Sequence, residues 1–486
     1  MRPFASAIVA ASLLALLAPA HAGSATPHWM PLAKGWRVKP AAAAAGLGQQ
    51  FFRTDFDDAA WEATEIKEEE DPYNARYIFY RTWVELPGAW AGKTISIVFG
   101  GVDDDAVVYV NGKKMGDHKG WNEEFTFDIT AVARCGERNL VAVVADNSGG
   151  GGAGIWRPVS LALTEEIAKM KTAQEAASRA EFAKIPHRIV YETWHESNWE
   201  LFTVGTDGSP PVNLTRTPDA HELYPHVSPD GARVCFVVDE GEGDKKVRNV
   251  YYMNLDGTGR TRVGTNIRQP CWSPDGSAIA YLGGEYEKFA YLDFATRGIG
   301  IYDLKTRTHR PHPNKSIHHL YNLCWTPDGR WFVATVHAGM GFKHAILAIE
   351  ADGMKVHNLH IPGCRPDMSP DGRTIAWGAS DWALRAGELD LSAPEPRVTN
   401  IRTLVSSTKP LKIYHLDWSP DGKHIAFSRG PSKKRMGHVP EIVGIRADGW
   451  NICVADATAK DRWIALTTDG HSNKEPDWAP AGSKNP

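Results

Sequence analysis

The chain of 486 residues lacks most of the short motifs that name a reaction. It has no P-loop, no Gly-x-Ser-x-Gly and no His-Glu-x-x-His. Its glycine run, Gly149–Gly152, lies in a loop without the strand-to-helix setting of a phosphate or dinucleotide site. Long apolar runs are also missing. Ile8 to Leu17 is too short to cross a bilayer, and no later stretch is longer, so no transmembrane segment is expected. Neither sign of charge dominates: the formal net charge is -4. That is too weak a balance to argue for nucleic acid, whose partners usually carry a basic face. Cysteines are few, at 135, 235, 271, 324, 364 and 453, with no Cys-x-x-Cys pair. Cys235, Cys271 and Cys324 sit in apolar runs and read as small buried hydrophobes, not as metal ligands.

The first 22 residues do carry a pattern. Arg2 gives a positive start, the apolar run follows, and Ala20-His21-Ala22 is a small-x-small cleavage site. With no Cys after it, this predicts a secretory signal over 1–22, without a lipid anchor, and a periplasmic or extracellular protein.

One tight turn recurs. Ser228-Pro229-Asp230-Gly231, Ser273-Pro274-Asp275-Gly276, Thr326-Pro327-Asp328-Gly329, Ser369-Pro370-Asp371-Gly372 and Ser419-Pro420-Asp421-Gly422 are five copies, with a decayed sixth at Asp477-Trp478-Ala479-Pro480. The spacing is between 43 and 53 residues. A period of this size, with several short strands per repeat, predicts a β-propeller. In each repeat an inner strand ends in the turn and three more strands follow. These repeats resemble the TolB-type propeller over residues 187–481. The first repeat lacks an inner strand, and Glu475–Pro480 is an inner strand with nothing after it. Joined, they complete a sixth blade and close the ring, leaving no free edge.

Residues 29–163 lack the repeat. Tyr80–Leu86, Ile95–Phe99, Ala106–Val110 and Leu140–Val144 alternate as strands do, and Asn111-Gly112 is a hairpin turn. The set Phe56-Asp57-Asp58-Ala59-Ala60-Trp61, Tyr80-Arg81-Thr82, Gly101-Val102-Asp103-Asp104, Val108–Gly112, Phe127–Thr130 and Gly154–Val159 resembles the galactose-binding-like jelly roll of family 2 glycoside hydrolases. In that family the catalytic carboxylates lie in a separate barrel, which cannot fit here, so the resemblance carries sugar binding and not hydrolysis. Asp103, Asp104 and Asp105 read as a chain turn rather than a calcium site. Between the domains, 164–186 predicts one linker helix. Thr164 can cap it, Glu165 and Glu166 favour its positive end, Ile167, Met170, Ala173, Ala177 and Phe182 mark an apolar face, and Pro186 stops it. The fold class is therefore all-β: jelly roll, linker helix and a six-bladed propeller.

The Pro-Asp-Gly turns occupy one propeller face, where Asp caps the turn. On the other face the expected long loops are Asp239–Arg248, Glu285–Arg297, His337–His344, Ser380–Arg385 and Arg429–Asp448. Long loops on a rigid scaffold carry function. Counting six residues back from each motif Asp, or its equivalent, gives Tyr224, Gln269, Asn322, Arg365, His415 and Glu475. These polar or amphipathic side chains should share one level near the axis, as ligand contacts or as bonds between blades. His337, His344, His415 and Arg365 are the catalytic candidates, as acid and base. With 19 His and no diagnostic ligand spacing, neither a metal nor a cofactor is predicted. Asp381, Trp382 and Arg385 combine an acid, a stacking platform and a base, which suits a sugar. Lys433, Lys434, Arg435 and His438 suit an anionic one, although such runs are usually solvated faces.

Three functions follow from these residues. The first is an exported carbohydrate-binding protein using the jelly roll, the loop-rich propeller face, or both. The second is a polysaccharide lyase or glycoside hydrolase with its site on the propeller. The third is a protein-interaction scaffold in the envelope.

Overall fold

The computed structural model describes residues 27–43, 50–67, 73–120, 124–147 and 154–482. The expected signal at 1–22 and the glycine run 149–152 lie outside the described residues. The chain divides into two compact units, Met1–Ala176 and Ala177–Pro486.

The first unit is a sandwich. A six-stranded sheet runs Glu62–Thr64, Trp36–Ala41, Tyr77–Glu85, Arg138–Asp146, Asp105–Val110 and Lys113–Lys119 in spatial order. A four-stranded sheet runs Trp29–Pro31, Val159–Leu163, Ile95–Phe99 and Phe125–Asp128. Strand residues alternate between faces. Ala106, Val108 and Val110 therefore point into the core with Val141, Val143, Ile97, Phe99 and Leu161, while Asp105, Val107 and Tyr109 are half-exposed. Asn111 and Gly112 make the predicted hairpin turn. Both have positive φ, 50° and 84°, as the favoured two-residue hairpin requires. The Asn111 side chain also accepts the Leu140 N–H at 2.9 Å, tying the turn to the next strand.

A helix spans Thr164–Phe182. Its first turn carries Glu165 and Glu166 at the positive end of the dipole, and it stops four residues before Pro186. Ile167 packs with Val98 and Ala162 in the first unit. Phe182 packs with Ile189 and Trp478 in the second.

The second unit is a propeller of six four-stranded antiparallel sheets. Blade 1 joins Asn473–Ala479 from the end of the chain to Arg188–His195, Asn198–Gly205 and Val212–Asn213. Ile189 lies opposite Trp478 and Val190 opposite Asp477, which is the closure expected from the orphan strands. The inner strands of blades 2 to 6 are His221–Val227, Ile267–Trp272, Leu320–Trp325, Cys364–Met368 and Leu411–Trp418. Each ends in a self-capped turn. In blade 3, Ser273 Oγ donates to Asp275 Oδ1 at 2.6 Å and the Ser277 N–H donates to the same oxygen at 3.0 Å. Gly276 supplies φ 69°. The turn carboxylates are thus consumed locally.

Two of the expected long loops are absent. His337 and His344 belong to paired strands, Trp331–Gly339 and Phe342–Glu350, joined by a tight turn. Thr374–Ser380 and Ala383–Asp390 are likewise joined through Asp381-Trp382 alone. The polar residues there continue the ladder instead of leaving it. Around Asp239–Arg248 only 241–246 lie outside strands. The extended loops are 285–295 in blade 3 and 432–450 in blade 6.

Candidate functional site

The six residues counted back from the turns do share a level, and their backbone explains why. Each has φ between 49° and 56°, in the left-handed region. At each of them the ladder to the second strand slips by a β-bulge. A bulge re-aims a side chain, here towards the axis. Pro225, Pro270, Pro366 and Pro476 directly follow four of these residues. A proline has no N–H to offer the ladder, and a bulge is where that loss is tolerated.

The side chains at this level bind one another. Gln269 Oε1 accepts the Asn322 N–H at 2.8 Å. Asn322 Oδ1 accepts from Arg365 at 2.9 Å. Glu475 Oε1 lies 3.4 Å from the Arg365 guanidinium and 3.1 Å from His415 Nε2. Tyr224 donates its backbone N–H to Glu192 at 3.0 Å, and its ring is buried.

Sequence reasoning missed what sits on top. The 432–450 loop crosses the axis as a strap. The Glu441 carbonyl accepts from Arg365 at 2.9 Å and from His415 Nε2 at 2.8 Å, and the Glu441 carboxylate accepts from Lys412 Nζ at 2.9 Å. Lys474 Nζ donates to the carbonyls of Pro440 and Ile442 on either side. The second loop brings Asp293, whose carboxylate accepts from Arg365 at 2.7 Å and from the Val443 N–H of the strap at 3.4 Å. Arg365 is consequently only 4% exposed and His415 3%.

Burial by itself would lower the Arg365 pKa, but Glu475 and Asp293 offset this and hold it above its ordinary value. Burial raises Glu475 to about 8, against the pull of Arg365. Burial, then repulsion from Arg365 and Lys474, keeps His415 neutral. Its Nε2–H faces the Glu441 carbonyl, so Nδ1 holds the lone pair, buried and without a partner.

Four residues back from the motif Asp lies a second ring: His226, Cys271, Cys324, Asp367, Asp417 and Asp477. The carboxylates stitch consecutive blades, accepting the N–H groups of Trp418, Trp478 and Val227 at 2.8, 2.8 and 2.7 Å. Between the rings lies a cavity of about 50 Å³, lined by residues of both. Among the described residues no cluster of His, Cys, Asp or Glu is arranged to hold a metal ion.

The structure separates the three histidines grouped from the sequence. His415 is axial. His337 and His344 form a pair on the loop-rich face. His344 Nε2 lies 3.0 Å from the Gly363 carbonyl, which only accepts, so that nitrogen carries the proton. His344 Nδ1 is then the acceptor for His337 Nδ1–H at 3.2 Å, which leaves a lone pair on His337 Nε2. Phe294 lies against His337, with ring centroids 4.6 Å apart. Beside them His319 donates to the Ala338 carbonyl at 2.8 Å and to Glu285 at 3.2 Å. Burial lowers the His319 pKa, but these acceptors outweigh it and raise it overall. The adjacent His318-His319 in the sequence was the overlooked signal. Asp381 is held by Lys412 at 3.0 Å and by the Tyr414 hydroxyl. Trp382 beside it is half-buried, and Arg385 is exposed on the next strand. Lys433, Lys434 and Arg435 form the exposed tip of the strap, with His438 half-buried below it.

A jelly-roll sandwich and a six-bladed propeller thus define the molecule. Residues 60–163 match the sugar binding domain of glycosyl hydrolases family 2. A β-galactosidase of Thermoanaerobacter pseudethanolicus is 32% identical over 106 residues, 20% of this chain and 14% of that protein. A dipeptidyl-peptidase 5 of Porphyromonas gingivalis is 27% identical over 275 residues, 47% of this chain and 40% of that protein. The chain spans less than half the length of these relatives. TolB from Acinetobacter baumannii superposes with a TM-score of 0.45 and 18% identity, over 70% of this chain and 79% of that one.

Proposed function

We propose that this is an exported carbohydrate-binding protein that recognises poly- or oligosaccharide. The observation that carries the reading is the sugar-binding-domain match over residues 60–163, on a sandwich with a packed apolar core. The propeller adds a polar, loop-covered axis and a face with aromatic and charged groups. Both are the materials from which saccharide sites are built. Export rests on the pattern in residues 1–22. A glycan array with the purified chain tests the reading: binding to a defined saccharide class is expected, and a blank array would overturn it. Sequencing the N-terminus of the cellular protein tests export, with a start at Gly23 expected and an intact Met1 refuting it.

One observation favours an enzyme as the second reading. The Gly363–His344–His337 chain leaves a basic nitrogen at a protein surface, as general-base catalysis requires. Product analysis on any array hit, with His337→Gln as the control, decides between binding and turnover.

A further inference from the structure

The axis beneath the strap has an unbalanced wall. Five cations project from the strands around it: Arg248, Arg268, Arg365, Lys412 and Lys474, each at most 7% exposed. The buried strand carboxylates at the same end are Glu192, Asp239 and Glu475. Asp239 pairs with Arg248 through two bonds of 2.7 and 2.9 Å. Glu192 lies 3.4 Å from Lys474, and Glu475 3.4 Å from Arg365. Lys412 has no such fully buried strand partner, only the partly exposed Asp381. Arg268 has none, and donates to the backbone carbonyls of Ala290 and Leu292 in the blade 3 loop.

The two loops bring two more carboxylates to this wall, one beside Glu475 on Arg365 and one on Lys412, while Arg268 keeps only its carbonyls. Asp293 is set on Arg365 and Glu441 on Lys412, both in charge-assisted bonds under 3 Å. Buried cations demand such partners. Yet these partners come from loops that cross the axis, while the other blade connections on this face are short. The strap also carries Gly437, Gly444 and Gly449 at φ of 78–83°, positions where a glycine chain turns at little cost. Its exposed tip, Lys433 to Arg435, is itself basic.

We propose that this axial well is a binding site for a carboxylate-bearing saccharide, and that Asp293 and Glu441 occupy it as internal stand-ins for the ligand's carboxylates. A uronic-acid oligosaccharide displaces the strap, takes Arg365 and Lys412 through its carboxylates, and meets the basic strap tip on the way in. The inference rests on the carbohydrate reading and names the class of saccharide for the propeller.

The test is titration calorimetry of the full chain with a short oligogalacturonate and with a neutral galacto-oligosaccharide of equal length. It is run on the natural protein and on Glu441→Gln, which keeps the shape of the strap and removes the competing charge. The oligogalacturonate should bind, and Glu441→Gln should tighten it roughly ten-fold by raising the fraction of open well. Affinity for the neutral sugar should not change with the substitution. Hydrogen exchange of the strap amides 438–447 should speed up when oligogalacturonate is added to the natural protein. Unchanged uronate affinity in Glu441→Gln, together with strap exchange indifferent to uronate, overturns the proposal. Should Glu441→Gln fail to fold, the exchange measurement on the natural protein decides alone. A neutral glycan bound with no uronate binding sinks this inference and leaves the carbohydrate reading standing. A blank array and no binding of either sugar remove both.

Discussion

Two rings of side chains circle the propeller axis, two residues apart along the same six strands, and they settle their charges in opposite ways. The ring six residues before each turn contains Arg365, with Lys412 and Lys474 close by. Its one acid, Glu475, faces Arg365, Glu192 beside it faces Lys474, and two loops bring further carboxylates to Arg365 and Lys412. The ring four residues before each turn has three carboxylates and no cation. Burial raises the pKa of Asp367, Asp417 and Asp477, and for Asp417 and Asp477 the neighbouring acids of the ring add to it. A buried carboxylate must be balanced by a cation or by a proton. One repeat, read at two depths, supplies one solution each.

The largest effect should come from removing the scaffold both rings share. Deleting residues 474–486 takes away the inner strand of blade 1 together with Lys474, Glu475 and Asp477, one or two members from each level. The propeller should lose its cooperative thermal transition. A truncated chain that melts as the full one does would mean the ring does not depend on this closure.

The next effect separates the rings. Arg365→Met leaves Asp293 and Glu475 buried without their cation, at a cost of about 3–5 kcal/mol in denaturant unfolding. Adding Asp293→Asn should recover part of that loss, because the two substitutions act on one interaction. Strict additivity would show that the pair is not coupled and that the upper ring is not held by charge.

Much of this was legible in the sequence. The repeated Ser-Pro-Asp-Gly turn gave blade number, closure and the level of the upper ring, since turn chemistry and strand length are local. Asn111-Gly112 gave its hairpin for the same reason. What was not legible depends on distant partners. Nothing near Glu441 announces that its carbonyl will meet Arg365 and His415, 76 and 26 residues away. The polarity of His337, His344 and Asp381 suggested loops, but the first two extend strands and the third makes a two-residue turn, because strand ends at a solvated face accept polar side chains. The lower ring was within reach: the count that found Arg365 finds Asp367 two residues on.

The lower ring should show itself in pH dependence. The folded-state pKa of Asp417 lies above its unfolded value, so its stabilising contribution is complete below the ordinary carboxylate range and is lost as pH rises through the folded pKa. Asp417→Asn keeps the bond to the Trp478 N–H and removes the ionisation. It should flatten the decline of stability with rising pH. Asp417→Ala orphans that N–H and should cost about 1–3 kcal/mol at all pH values. Identical pH profiles for the Asp417→Asn variant and the natural protein would place no buried proton in this ring.

The smallest effect belongs to a pair that resembles the upper ring but stands near water. His319 and Glu285 lie 3.2 Å apart with side chains 21% and 27% exposed. Burial lowers the His319 pKa, and the Ala338 carbonyl and Glu285 more than restore it. The raised folded pKa means that the pair's contribution is present below the unfolded histidine value and fades as pH rises through the folded one. Glu285→Gln should therefore move the His319 titration, followed by NMR, to lower pH. Stability at pH 6 should fall by less than about 1 kcal/mol, because solvent screens a pair of this exposure. At pH 9 the two proteins should be equally stable. A loss as large as that of Arg365→Met would break the comparison, since it would mean that this pair too is sealed from water and that burial is not what distinguishes the axis from the face above it.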